Sequence, residues 1–207
     1  MSDLYTQIIT VFLGFFAIMN PIANTAAFVG LVGEKESSEQ FRVAAKAIVI
    51  TFVVILAFSL LGKFIFQAFG ISLPALRIAG GILVFIVGYH MLNGSGSKLH
   101  SAENSDEGDI AVSPLAMPLL AGPGTIATAM NYSATGGFTG IIVTVSVFFV
   151  LCLITFACFI FSSKILTVIG EGGMSIITRL MGLILTVIGV QLMLLGISTG
   201  FNIPILS

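Results

Sequence analysis

Two clusters of polar and helix-breaking residues sit inside otherwise apolar sequence: Asn20, Pro21, Asn24 and Thr25 in one, and Gly122, Pro123, Gly124, Thr125 and Thr128 in the other. Neither cluster carries a charge, so the chemistry they offer is recognition. Proline removes a backbone donor and clashes with the preceding turn, and glycine loosens the chain, so a helix passing through either cluster breaks. The break exposes N–H groups on one half-helix, with roughly half a positive charge, and C=O groups on the other. A carboxylate suits the first and an ammonium group or cation the second, so a zwitterion fits both. Side chains of Asn20, Asn24, Thr25, Thr125 and Thr128 add donors and acceptors. The backbone at Pro21, Gly122 and Gly124 supplies the helix-end contacts, and the two glycines leave room only for a small, polar pocket. The competing structural reading is that the prolines merely kink packed helices while the hydroxyls bond their own helix.

The elements that must position these clusters are membrane helices. Of the 207 residues 57% are hydrophobic and only 8% charged, and mean hydropathy is +1.14. No Asp, Glu, Lys or Arg occurs from Ile110 to Ser163, so Gly122-Pro123-Gly124 is carried into hydrocarbon or close to it. Broken backbone at that depth survives only where its freed groups find protein, water or a ligand. With about 20 apolar residues needed per crossing, the chain has room for six. The net charge of -1 and the absence of Trp give no basic or stacking face, which argues against nucleic-acid binding. No metal-ligand cluster, nucleotide loop or nucleophile–base pair is present, so an enzyme is not expected and no cofactor is called for. Cys152 and Cys158 read as packing residues.

Taken in order, Leu4 to Gly33 is uncharged and longer than one straight crossing needs, with Asn20-Pro21 near its middle. The second crossing is expected over Phe41–Phe66, and a third runs from Pro74 to about Asn93. Residues 94–112 form a flexible acidic linker between 1–93 and 113–207. The fourth crossing contains Gly122-Pro123-Gly124, the fifth covers Phe138–Ser163, and a loop holding Gly170, Gly172 and Gly173 precedes the sixth, Ser175–Ser198. Shifting the chain by 102 residues superimposes Pro21 on Pro123, Gly70 on Gly172, Arg77 on Arg179 and Gly80 on Gly182, without a gap. Such coincidence marks two repeats. Three crossings per repeat is an odd number, so the repeats are inverted: an all-α membrane protein of six helices, with helices 1 and 4 broken near mid-membrane.

Six Lys and Arg residues fall near one side of the bilayer (Lys35, Arg42, Lys46, Lys98, Lys164, Arg179) and two near the other (Lys63, Arg77), which sets both termini outside. Arg77 and Arg179, at equivalent helix starts, read as interfacial anchors, with a gating role open. Glycines at 182, 189 and 196, echoed at 80, 81 and 88, predict a small-residue seam. His90 reads as a satisfied polar residue. No Asp or Glu lies in an expected membrane core, which weakens a carboxylate-based proton pump and leaves coupling unassigned.

The stretches MNPIANTAAFVGL (19–31), LRIAGGILVFIVGYHML (76–92), PLAMPLLAGPGTIATAM (114–130) and RLMGLILTVIGVQLML (179–194) resemble the MarC family, also described as six-helix neutral amino acid transporters of the SnatA type. The resemblance covers nearly the whole chain. It implies a multi-pass protein of a bacterial or archaeal cytoplasmic (inner) membrane that moves small neutral amino acids such as glycine, alanine or serine, driven by an H+ or Na+ gradient. Expected partners are a small zwitterionic amino acid and the lipid bilayer, with a homo-oligomer left open. The rival readings are an exporter of amino acids or related metabolites, a small-solute channel, and a membrane partner protein that transports nothing.

Overall fold

The structure, a computed structural model, describes residues 2–33, 35–93, 120–135 and 137–202, and these residues form helices and no strand. The first uncharged run becomes α1 (Ser2–Met19) and α2 (Pro21–Val32), divided at Asn20. Asn20 adopts a left-handed conformation (φ 41°, ψ 67°) that asparagine tolerates better than most residues. Its Oδ1 accepts from the Ala23 N–H at 3.4 Å and caps α2, while Pro21 fills the first helical position, where its missing donor costs nothing.

Helix α3 (Ser37–Phe69) runs past both ends of the crossing expected at Phe41–Phe66. A turn at Gly70 (φ 64°) leads to Ser72, whose Oγ accepts from the Ala75 N–H at 3.3 Å and caps α4 (Leu73–Leu92). The linker expected at 94–112, and the opening of the fourth crossing up to residue 119, lie outside the described residues. The chain resumes at Leu120 and enters α5 (Pro123–Thr135), α6 (Gly137–Ile160) and α7 (Ser162–Phe201).

The loop expected around Gly170, Gly172 and Gly173 is instead helical, interrupted only at Gly170 (φ 68°, ψ 167°). Lys164 to Ile169 contain no proline or glycine. Glycine at 172 and 173 lowers helix propensity by about 1 kcal/mol each without removing a hydrogen bond. Among the described residues five stretches are long and apolar enough to cross a membrane: Leu4–Val32, Ser37–Gly62, Leu73–Leu92, Gly137–Ile160 and Gly172–Phe201. By itself α5, at 13 residues, is shorter than a crossing.

The most extensive helix pairing is between α4 and α7. A Cβ added at Gly81 would lie 2.6 Å from the Gly189 carbonyl oxygen, and one at Gly88 would lie 2.7 Å from the Gly182 oxygen. At Gly196 it would lie 2.9 Å from the Pro74 oxygen. Pairs 81/189, 88/182 and 74/196 describe one antiparallel register with seven-residue steps on both helices, and backbone meets backbone there. The seam expected from glycine spacing is therefore real, although Gly80 stands outside it, its added Cβ meeting Ala127 at 3.0 Å. An aromatic layer joins the broken first crossing to α6: Phe28 stacks on Phe159 with centroids 4.5 Å apart, and Phe15 meets Phe148 edge-on at 5.0 Å.

Candidate functional site

The break at Asn20 and the start of α5 at Pro123 come together. A Cβ at Gly124 would lie 3.4 Å from Val84 Cγ2 and 3.9 Å from Ile18 Cγ2, so the first turn of α5 packs against the middle of α4 and the last turn of α1. Ala17 and Ile18 also pack with Val84, Leu185 and Ile188. Val84 and Leu185 lie near the middles of the crossings Leu73–Leu92 and Gly172–Phe201, so the break at Asn20 and the start of α5 sit at mid-height of the α4–α7 pair.

Within the first cluster the side chains divide by what they already hold. Asn24 Nδ2 donates to the Met19 carbonyl at 2.6 Å, and Thr25 Oγ1 donates to the Pro21 carbonyl at 2.9 Å. Asn24 mends a carbonyl that the break leaves exposed at the end of α1, and Thr25 bonds a carbonyl of its own helix; both roles are structural. Asn20 differs: its Oδ1 caps α2, but its Nδ2 is buried with no partner among the described residues. A buried unsatisfied donor costs about 1–3 kcal/mol, so this amide is the group of the cluster held ready for something else.

In the second cluster Thr125 is buried at 2% exposure and Thr128 at 3%. Seven helical threonines (25, 135, 155, 167, 178, 186 and 199) donate to the carbonyl four residues back, as hydroxyls in helices usually do. Thr128 does not, and its buried Oγ1 has no partner among the described residues. Gly122, half-buried, accepts from the Ile126 N–H at 3.0 Å. It has no side chain of its own to cap α5, and the N–H groups of Gly124 and Thr125 belong to a first helical turn, which attracts negative charge.

The two arginines that the 102-residue shift equates are unlike in the structure. Arg179 is exposed, whereas Arg77 is buried at 8% exposure. Arg77 Nε donates to Asn131 Oδ1 at 3.0 Å, and its Nη1 donates to Thr199 Oγ1 at 3.4 Å. Sequence reasoning missed Asn131 and Thr199. The signal for Asn131 was its spacing, since 124, 128 and 131 share one helix face. It also missed the buried hydroxyls of Thr51, Ser59, Ser133 and Thr144 and the Nδ1 of His90, which have no partner among the described residues. Thr155 Oγ1 lies 3.6 Å from Met19 Sδ beside the first break. Among the described residues no group of three His, Cys, Asp or Glu could hold a metal.

Apolar helices paired through a glycine seam, with the break at Asn20 meeting the start of α5 at their middle, define an integral, multi-pass membrane protein. The family described as MarC family integral membrane protein matches residues 5–201, and the chain belongs to it. It is 38% identical to the membrane protein YvbG of Bacillus subtilis over 97% of this chain and 98% of that one. It is 36% identical to a membrane protein of Pyrococcus abyssi over 98% of this chain and the full length of the relative. With the inner membrane protein MarC of Salmonella arizonae it shares 35% identity over 95% of this chain and 96% of the relative. No solved structure matches the chain.

Proposed function

We propose that the chain is a secondary transporter of small neutral amino acids of the glycine, alanine and serine type. It works by alternating access of two inverted three-helix repeats, 1–93 and 113–207, in a cytoplasmic (inner) membrane, with both termini outside. The observation that carries this reading is the meeting of the break at Asn20 with the start of α5 at mid-height, with Asn20 Nδ2 and Thr128 Oγ1 buried and without partners among the described residues. The first turn of α5 suits a carboxylate, and the carbonyl of Ala17, which has no N–H at Pro21 to accept from, suits an ammonium group. Val84 Cγ2 would lie 3.4 Å from a Cβ at Gly124, a tight setting that fits a substrate side chain no larger than a methyl or hydroxymethyl group. The pairing of helices fits two inverted repeats: α2 packs on α6 as α5 packs on α3, and α2 packs on α7 as α5 packs on α4. With no titratable carboxylate in the segments that meet, an H+ or Na+ gradient would act through polar groups and backbone, and Thr51, Thr144 and His90 are the buried candidates.

Binding is tested by thermal unfolding of the purified chain with a panel of amino acids. Glycine, alanine and serine are expected to raise the melting temperature in a saturable way, by RT ln(1 + [L]/Kd) in free energy, while aspartate and lysine do not. No shift with any neutral member of the panel would overturn the site.

A further inference from the structure

Arg77 is a permanent charge buried where three helices meet, and its two partners, Asn131 on α5 and Thr199 on α7, are both neutral. No carboxylate accepts from it among the described residues. A buried guanidinium with only neutral partners is expensive, and such charges in membrane segments mark ligand or ion pathways. Asn131 and Thr199 take two of its five N–H donors, and the flat fork that remains matches an oxygen pair. The Thr199 hydroxyl is itself tied to the Leu195 carbonyl at 2.7 Å, so it offers Arg77 a lone pair and nothing that neutralises it.

The position relative to the breaks is fixed by the α4–α5 register. Gly124 faces Val84, Ala127 faces Gly80 and Asn131 binds Arg77, so Arg77 lies two turns along from the break, roughly 10 Å at 1.5 Å per residue. Between them on the same face of α5 is Thr128 with its unpartnered hydroxyl. A molecule the size of glycine cannot touch Arg77 and the break at once. The mate of Arg77 under the repeat, Arg179, is exposed, so the device exists at one mouth only.

We propose that Arg77, positioned by Asn131 and Thr199, is a docking site for a small carboxylate, occupied by the carboxylate of the incoming or departing substrate before it passes Thr128 to the central breaks. The identity of that carboxylate as the substrate's own rests on the transport reading; the anion site does not. The test uses the purified full chain in detergent, unfolded thermally in sodium acetate, sodium chloride or sodium gluconate at equal ionic strength. Acetate is expected to stabilise the wild type saturably. Arg77→Gln should abolish that response, Arg77→Lys should keep part of it, and Asn131→Asp, which sets a carboxylate against Arg77, should raise basal stability and remove the response. Equal shifts with all three salts, a response to chloride alone, or an undiminished acetate response in Asn131→Asp would overturn the proposal. In proteoliposomes Arg77→Gln should raise KM for glycine at least about tenfold, the loss expected for a charged hydrogen bond. Unchanged KM there sinks the docking site and leaves the transporter standing, whereas Arg77-dependent acetate binding without any amino acid flux does the reverse.

Discussion

Gly189→Ala isolates the α4–α7 seam. The added methyl carbon would lie 2.6 Å from the Phe85 nitrogen, 2.7 Å from the Gly81 oxygen and 2.8 Å from Phe85 Cα, all backbone atoms that cannot rotate away. Ordinary contact begins near 3.4 Å, so the helices must separate by roughly 0.7 Å or shear past each other. Overpacking of that kind costs about 1–3 kcal/mol, opposed by about 1 kcal/mol gained from replacing glycine with alanine in a helix. Gly30→Ala supplies the reference: Gly30 is helical, and nothing lies within 4 Å of a Cβ there, so it reports the propensity gain alone. The Gly189 variant should melt below the Gly30 variant by about 2 kcal/mol, or roughly 4–8 °C in apparent melting temperature. Because Gly81→Ala forces the same separation, the Gly81/Gly189 double variant should lose less than the sum of the two. A Gly189→Ala protein as stable as Gly30→Ala, or strict additivity in the double variant, would refute the close backbone packing.

Asn20 serves the fold through its left-handed backbone and its cap, and under the proposed function serves the site through Nδ2. Asn20→Ala should therefore destabilise by about 2 kcal/mol and Asn20→Gly by only a few tenths, as followed by thermal unfolding. Both should lose substrate binding, and an Asn20→Gly protein that binds as well as wild type would reduce the residue to a cap. Thr128→Val removes a hydroxyl that has no partner among the described residues, so stability should hold or rise while transport falls. Destabilisation by more than about 1 kcal/mol with transport intact would mean the hydroxyl is structural.

What could be read in the sequence was what depends on local chemistry. Asn20-Pro21 forces a break wherever the helix runs, and glycines seven residues apart on two helices have few uses besides a seam, so both appear in the structure. The fate of Gly172 and Gly173 was harder, because propensity is a weak prior beside packing of a 40-residue helix against its neighbours. The repeat itself misled at Arg77 and Arg179. A shift of 102 makes them equivalent, yet burial is decided by partners 54 and 122 residues away in sequence, which no periodicity encodes. The same holds for Thr25 and Thr128, alike as residues but one bonded to its own helix and the other free to face a neighbour. The left-handed turn that precedes α4 at Gly70 recurs at Gly170, two residues before the glycine that the 102-residue shift pairs with Gly70.

The central claim is that the paired breaks form a transport site for small neutral amino acids, and uptake into proteoliposomes holding the purified chain tests it most directly. With a proton or sodium gradient imposed, labelled glycine, alanine or serine should accumulate at a rate that saturates with concentration, and Thr128→Val should lower that rate. Absence of specific flux for all three under both gradients, or flux that never saturates, would contradict the account.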